Sequence, residues 1–390
     1  MGETHLIKND QEALEIADRF ARQIEAESDD RDKYRRLPFL EMELFSETGL
    51  LGMTIPKSYG GPGVSTVTFV KAVALISSAD ASLGQIPQNH YANIEEIRLV
   101  GTEAQKAFFF GRILQGDRLG NAAVDRSGKS ILENQTRLVP SGEGYLLTGE
   151  KFYCTGALYA HWVPVRTVDP EGNRVVAIVN RQSEGLTVVD DWSSFGMRTT
   201  ASGTVLLRNV RVSNDQILRS YQAYAKPTTR GPFSQIIHVA IDVGIAQAAL
   251  KEAAHFLRNG SALGEGAKTQ DPLTIYEFGQ LQCQLHAAEA LMERAAETID
   301  QANALQGLEA VSSAAIAVAE AKVASTEVAI SATNKLFELV GPESLRKKYG
   351  LDRHWRNARV HTLHDPVRWK YYAVGNFYLN GVDPPRHAWI

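Results

Sequence analysis

Tyr145-Leu146-Leu147-Thr148-Gly149-Glu150-Lys151-Phe152-Tyr153-Cys154-Thr155-Gly156-Ala157 breaks the pattern of the chain on either side of it. Up to Leu119 the apolar residues recur at helical spacing, whereas here a short apolar and β-branched run is bounded by glycine, the signature of a strand. Val163–Val168, Val175–Val179 and Thr204–Leu207 repeat that signature between Gly, Pro, Asn and Asp residues. Ser141-Gly142-Glu143-Gly144 and Asp169-Pro170-Glu171-Gly172-Asn173 carry turn chemistry suited to hairpins. The expectation is a compact, mostly antiparallel barrel or sandwich.

Outward from this run the helical period returns on both sides. Toward the N-terminus, Ala13, Leu14, Ile16, Ala17, Phe20, Ala21 and Ile24 predict one amphipathic helix over Asp10–Arg36. A second helix, Leu40–Thr48, stops at Gly49, and a connector rich in glycine and proline follows to Val64. Helical spacing resumes over Thr66–Ser78, Gln88–Val100 and Thr102–Leu114. Toward the C-terminus, beyond Gly231-Pro232, Ile236–Leu250 is apolar nearly all round and reads as a buried helix. Long helices over Pro272–Ala304 and Glu309–Val340 predict an antiparallel bundle. The class is therefore α+β: a helical N-terminal domain (1–118), a central β-barrel or sandwich (119–225) and a C-terminal four-helix bundle (226–390).

At 390 residues the chain can bury a sizeable core. Its 41 basic against 45 acidic residues give a net charge of -4, and no dense basic run with interleaved aromatics suggests a nucleic-acid surface. Two cysteines, Cys154 and Cys283, make neither a disulfide framework nor a CxxC metal pair. Met1–His5 has no basic and apolar signal pattern, and the apolar runs are shorter than a membrane span. The expectation is a cytoplasmic protein that binds no membrane, no nucleic acid and no metal.

Near the C-terminus, Trp355-Arg356-Asn357-Ala358-Arg359-Val360-His361-Thr362-Leu363-His364-Asp365-Pro366 holds two imidazoles three residues apart. A helix to Leu363 would place both on neighbouring parts of one face, and Pro366 biases Asp365 out of helical geometry. His364 and Asp365 are thus expected at a helix exit facing a cavity. The alternative is a helix end whose imidazoles only bond exposed carbonyls.

Four motifs in order resemble the acyl-CoA dehydrogenase superfamily across nearly the whole chain. They are Gly49–Pro56 with Tyr59-Gly60-Gly61, Gly101–Lys106, Gly149–Ala157, and Phe195-Gly196-Met197-Arg198 leading to Asn209–Val212. The resemblance implies a flavin at the domain junctions and, in most members, a tetramer. Two departures redirect it. Where the dehydrogenases carry a carboxylate base in a Tyr-Glu-Gly context, this chain has His364-Asp365-Pro366. Where they recognise the adenosine half of FAD, Phe256–Gly260 and Phe337–Pro342 leave neither motif intact. Together with Gln88-Asn89-His90-Tyr91 and Gly120-Asn121-Ala122, the departures resemble the flavin-dependent monooxygenases on this fold. These include the dibenzothiophene monooxygenase type and, more strongly, the SfnB-like sulfur-acquisition oxidoreductases.

That resemblance implies reduced FMN supplied by a separate NAD(P)H-dependent flavin reductase, O2, and a small, organosulfur substrate. An FAD-dependent acyl-CoA dehydrogenase with Asp365 as base is the alternative. Oxygen transfer needs groups that exchange protons near pH 7, a task suited to histidine. The resemblance assigns it to His90 and His364, with His361 and Asn121 beside them; a lone imidazole within a helix such as His90 can equally be a satisfied core residue. Tyr153, Cys154 and Thr155 match the stretch that lies against the flavin ring, with Thr155 as the hydrogen-bonding hydroxyl. Arg198, Thr199 and Ser202, and Ser127 and Lys129, offer donors for ring edge or phosphate. Finally, Ala314, Ala315, Ala317, Ala319, Ala321 and Ala324 suggest apolar faces beyond what one neighbour needs. They predict a homotetramer in which Phe337–Ser344 approaches a neighbour's cofactor; the alternative is tight packing within one bundle.

Overall fold

The computed structural model describes residues 2–126, 136–259 and 268–390. Its first helix, α1 (Asp10–Glu25), starts at Asn9, whose side chain accepts from the Glu12 amide, and buries Ala13, Ile16, Ala17, Phe20, Ala21 and Ile24. The single helix expected to Arg36 is two, because α2 (Ser28–Tyr34) starts afresh after Ala26-Glu27. On α2, Arg31 is 1% exposed. It donates to the Ile24 carbonyl, to Asp80 at 2.8 Å and to Glu41 at 3.0 Å. A buried guanidinium must find such partners.

Next come α3 (Phe39–Glu47), α4 (Thr66–Ala79), the short α5 (Ala81–Gln85), α6 (Gln88–Val100) and α7 (Glu103–Leu114). Thr102 and Gln105 form a capping box at the start of α7, satisfying two amide donors that the first turn leaves open.

The strands are β1 (Val124–Asp125), β2 (Arg137–Ser141), β3 (Gly144–Phe152), β4 (Trp162–Val168), β5 (Arg174–Asn180), β6 (Leu186–Val189), β7 (Thr204–Val212) and β8 (Ile217–Leu218). They form one sheet in the order β6-β7-β3-β2-β4-β5-β8, with β1 beside β3. The pairings are antiparallel apart from a short parallel register between β2 and β4, and both expected hairpins are present. Leu147, Val205 and Leu207 from one half of the sheet share a core with Val163, Val165, Val175, Ala177 and Val179 from the other. A flat sheet could not bring these together, so the sheet curls over on itself. Val176, Ile178 and Leu218 point the other way, into the core of the helices.

The C-terminal part is built on α8 (Arg230–Asn259), α9 (Pro272–Leu305) and α10 (Leu308–Val340), with α11 (Asp352–His361) and α12 (Arg368–Asn380) laid against them. By length and apolar composition α8 could cross a membrane, yet 94% of its apolar window is buried inside the chain. It packs on α10 and α9 on one side and on α4, α6 and α11 on others. Ala314, Ala315, Ala317, Ala319 and Ala321 of α10 are buried within this one chain, and Ala324 is half-buried against the same core. They close the bundle, and the expectation that they form faces left over for a partner is corrected.

The loop between β6 and β7 joins the sheet to the bundle. Met197 donates its amide to Asn357 Oδ1 at 2.7 Å, and Gly196 lies so close to α11 that a Cβ there would sit 2.1 Å from the Arg356 carbonyl oxygen. Backbone cannot yield as a side chain would, so Gly196→Ala should cost about 1–3 kcal/mol in urea unfolding. The same substitution at Gly307, where a Cβ meets nothing and φ is -99°, is the control for mere loss of a glycine.

Candidate functional site

Two polar clusters flank that loop. The first lies at the β-domain rim. Gly156, at φ +78°, and Gly120 allow the 153–157 segment to close on α5 and on the start of the β domain, since a Cβ on Gly120 would sit 2.7 Å from the Ala157 Cα. Three non-glycine residues here take left-handed backbone, Tyr153 (φ +54°), Met197 (φ +47°) and Ala201 (φ +47°). Such strain persists where the surroundings dictate it, and it gathers at functional sites. Asn121 donates its side-chain amide to the Tyr153 carbonyl at 3.3 Å, leaving its own carbonyl oxygen as an acceptor.

The rim hydroxyls form a chain whose direction can be read. Thr200 donates to the Met197 carbonyl at 3.0 Å. Ser202 is therefore the donor in its 2.8 Å bond to Thr200, and Thr155 the donor in its 2.7 Å bond to Ser202. Thr155 is thus left with a lone pair for an incoming N–H or O–H. Beside it Tyr153 is exposed and meets Trp192 edge-on at 6.0 Å.

Other residues expected here do something else. Cys154 lies in the core of the sheet, and burial pushes its thiol up to about 12; it is packing and stays protonated, which corrects its assignment to the cofactor. Arg198 donates to the Asp32 and Lys33 carbonyls at 2.5 and 3.1 Å, so it ties the loop to α2. Thr199 is buried and its carbonyl accepts from Tyr159. Ser127 and Lys129 lie outside the described residues.

His90 is 1% exposed. Its Nδ1 accepts from the Leu119 amide at 3.0 Å and its Nε2 donates to the Leu51 carbonyl at 2.9 Å. Both nitrogens are spent on backbone, and burial lowers its pKa to about 4. Its position is that of a neutral tie between α6, the β domain and the connector. Among the described residues no hydrogen bond or ring contact joins His90 to His364.

The second cluster is in the bundle. Asp242, wholly buried on α8, accepts from Lys322 at 2.5 Å, from Thr326 at 3.2 Å and from His361 Nδ1 at 2.5 Å. Burial alone would raise its carboxyl; the Lys322 ammonium and then His361 outweigh that and hold it at about 2. With Nδ1–H given to Asp242, His361 Nε2 accepts from His238 Nδ1 at 3.0 Å. His238 Nε2 is buried with no partner. The His364 ring lies 4.1 Å from that of His238, tilted by 31°. His361 thus ends α11 in the buried array, while His364 follows in the loop with an edge open to solvent. Enclosing protein, then His361 and Lys322, lower the His364 pKa; water at its open edge makes that lowering smaller than full enclosure would.

Asp365 is buried and ion-paired with Lys370 at 2.8 Å. Lys370 itself is 1% exposed and also donates to the Trp389 carbonyl. Among the described residues no group of His, Cys, Asp and Glu is arranged to hold a metal. His238, Asp242 and Lys322 were not singled out from sequence, although a signal existed. A histidine and an aspartate one turn apart in the apolar run Ile236–Ala246 demand buried partners.

Residues 8–117 match the acyl-CoA dehydrogenase N-terminal domain and residues 236–369 the acyl-CoA dehydrogenase C-terminal domain. A dibenzothiophene monooxygenase of Rhodococcus erythropolis is 31% identical, covering 96% of this chain and 95% of its own length. A probable FMNH2-dependent monooxygenase, SfnC of Pseudomonas putida, is 27% identical over 95% of this chain and 96% of its own. The crystal structure of FMN-bound TdsC from Paenibacillus sp. A11-2 superposes with a TM-score of 0.91 at 31% identity, covering 97% of this chain and 100% of that one.

Removing one partner from a buried ion pair strands the other. Lys322→Met should therefore cost about 3–5 kcal/mol in urea unfolding at pH 7. The Asp242 carboxyl sits at about 2 in the fold against 3.8 in the unfolded chain. Its contribution is thus present above about pH 4 and drains away as pH falls toward 2, and Asp242→Asn should flatten that part of the acid-unfolding curve.

Proposed function

Because the chain belongs to the acyl-CoA dehydrogenase family, we propose that it works as a flavin-dependent monooxygenase, an oxidoreductase that uses reduced FMN and O2 to oxygenate a small organosulfur compound. The observation that carries this reading is the exchange at the exit of α11. An imidazole, His364, is open there, while the one carboxylate that could replace a dehydrogenase base, Asp365, is neutralised by Lys370. A base for abstracting a proton beside a thioester must be uncommitted; Asp365 is not.

The described residues fit a flavin ring. Asn121 and Thr155 present acceptors at a strained rim beside the exposed ring of Tyr153. Acceptor polarity at Thr155 matches a reduced ring, which carries an N–H at N5 that the oxidised one lacks. When bound, that ring supplies the electrons that activate O2. The protein holds the ring edge through Thr155 and Asn121, and His364 gives or takes the proton at the open face of the bundle. For the phosphate, the sequence resemblance points to Ser127 and Lys129. Reduced FMN acts as a consumed reagent in this scheme, so a separate NAD(P)H-dependent flavin reductase is the partner. The sulfur substrate is supported by the dibenzothiophene monooxygenase and SfnC relatives. Two free thiols, Cys154 and Cys283, suit a cytoplasmic setting.

A homotetramer belongs to the same reading, on support other than the alanines. Leu273, Ile275 and Tyr276 at the start of α9, and Trp369, Tyr372, Tyr378 and Leu379 on α12, are exposed, Leu379 at 84%. Apolar side chains gathered on two helices of one bundle suit burial against further copies.

With a flavin reductase, FMN and dibenzothiophene as probe, His364→Ala should lower oxygenation by about a hundredfold or more at unchanged melting temperature. His90→Ala should instead cost about 1–3 kcal/mol of stability, because it frees a buried amide and a buried carbonyl. A yellow, FAD-loaded protein bleached by an acyl-CoA would overturn the monooxygenase. Light scattering at micromolar concentration should give the mass of four 42.9 kDa chains, and the mass of one chain would refute the shared assembly.

A further inference from the structure

His238 is the most deeply placed imidazole of the bundle cluster and has no role in the reading above. It is 1% exposed, yet it keeps a buried Nε2 without a partner. Natural cores seldom leave such an atom unpaired, so the residue is held there by something other than its own hydrogen-bond needs. Three elements fix it. His238 and Asp242 stand one turn apart on α8, Lys322 and Thr326 one turn apart on α10, and His361 closes the set from the end of α11. Lys322 orients Asp242, Asp242 fixes the tautomer of His361, and His361 fixes the ring plane of His238. At the far end of this column the His364 ring rests on the face of His238 at 4.1 Å. His364 sits in a loop, with one edge open, so this face contact is what the column offers it.

We propose that His238 is the positioning residue of His364: a neutral imidazole, locked in orientation from behind, on which the exposed ring is seated. The proposal rests on the reading of His364 as the proton-exchanging group and assigns its placement to a residue that touches neither flavin nor substrate. The charged and titratable groups around the pair are Asp242 from α8, Lys322 from α10, His361 from α11, Asp365 from the loop and Lys370 from α12. Lys322 pairs with Asp242 and Lys370 with Asp365, so the fixed charges cancel. Protonating His238 would add an uncompensated charge directly beneath His364. The column thus keeps a neutral ring beneath the exposed one.

Two substitutions separate the ring from its nitrogen. Asn at 238 keeps a side-chain N–H for His361 but has no ring face, whereas Phe keeps the face and drops the N–H. The readout is the pH dependence of His364 modification by diethyl pyrocarbonate, which attacks neutral imidazole, followed by peptide mass spectrometry on the full chain. In the native chain the inflection should lie below the ordinary imidazole value of about 6.5. His238→Asn should release the ring, raising the inflection by about half a unit or more toward that value and speeding modification several-fold. His238→Phe should leave both as in the native chain. An Asn variant that titrates like the native chain, or a Phe variant that titrates like the released one, overturns the proposal. Should the Asn variant melt early, the Phe variant still decides: native titration upholds the seat, release overturns it. The measurement needs no flavin or substrate, so it stands apart from whether His364→Ala abolishes oxygenation.

Discussion

A carboxylate in the middle of an apolar helix governs how the C-terminal half is put together. Asp242 is wholly buried on α8, and an ionised carboxyl without partners would cost more than a helix of this length could offset. It is satisfied only if α10 brings Lys322 and Thr326 to one side and the end of α11 brings His361 to the other. Apolar packing between α8 and α10 is permissive about rotation and sliding. The ion pair is not, and it sets the register of the helices and hence the place where α11 ends.

The rim of the β domain depends on that register at one remove. The loop after β6 reaches α11 through Gly196 and Met197, and the same loop carries Thr200 and Ser202, which orient Thr155. Two strained residues of that loop, Met197 and Ala201, are held by this packing rather than by local preference. Bundle and rim are coupled through a few backbone contacts, so a shift of α11 would alter the hydroxyl chain as well as the histidine column. The N-terminal helices close the same junction, with Arg198 donating to the end of α2 and Arg356 pairing with Asp32.

The structure divides the polar residues of the chain by what their atoms are free to do. His90 and Cys154 have the residue types a flavin site wants, but their polar atoms are spent or sealed. His364, Thr155 and Asn121 keep an atom unspent. Chemistry needs the second kind, and the first holds the second in place.

Periodicity determined the helix–sheet–helix order and the long helices over Pro272–Ala304 and Glu309–Val340, because spacing along the chain dictates which residues share a face, and turn residues determined the hairpins. Glycine, proline and the motifs around Thr155 and His364 marked the rim and the exit of α11 for the same local reason. Tertiary structure decided the rest. Whether the α10 alanines face a partner or their own bundle, whether Asp365 is a base or half of an ion pair, and that His238 lies beneath His364 all depend on contacts between residues far apart in the chain or on a turn that only folding closes. Hydrogen-bond capacity is written in a residue's type; which capacity is already used is decided by neighbours that only folding supplies.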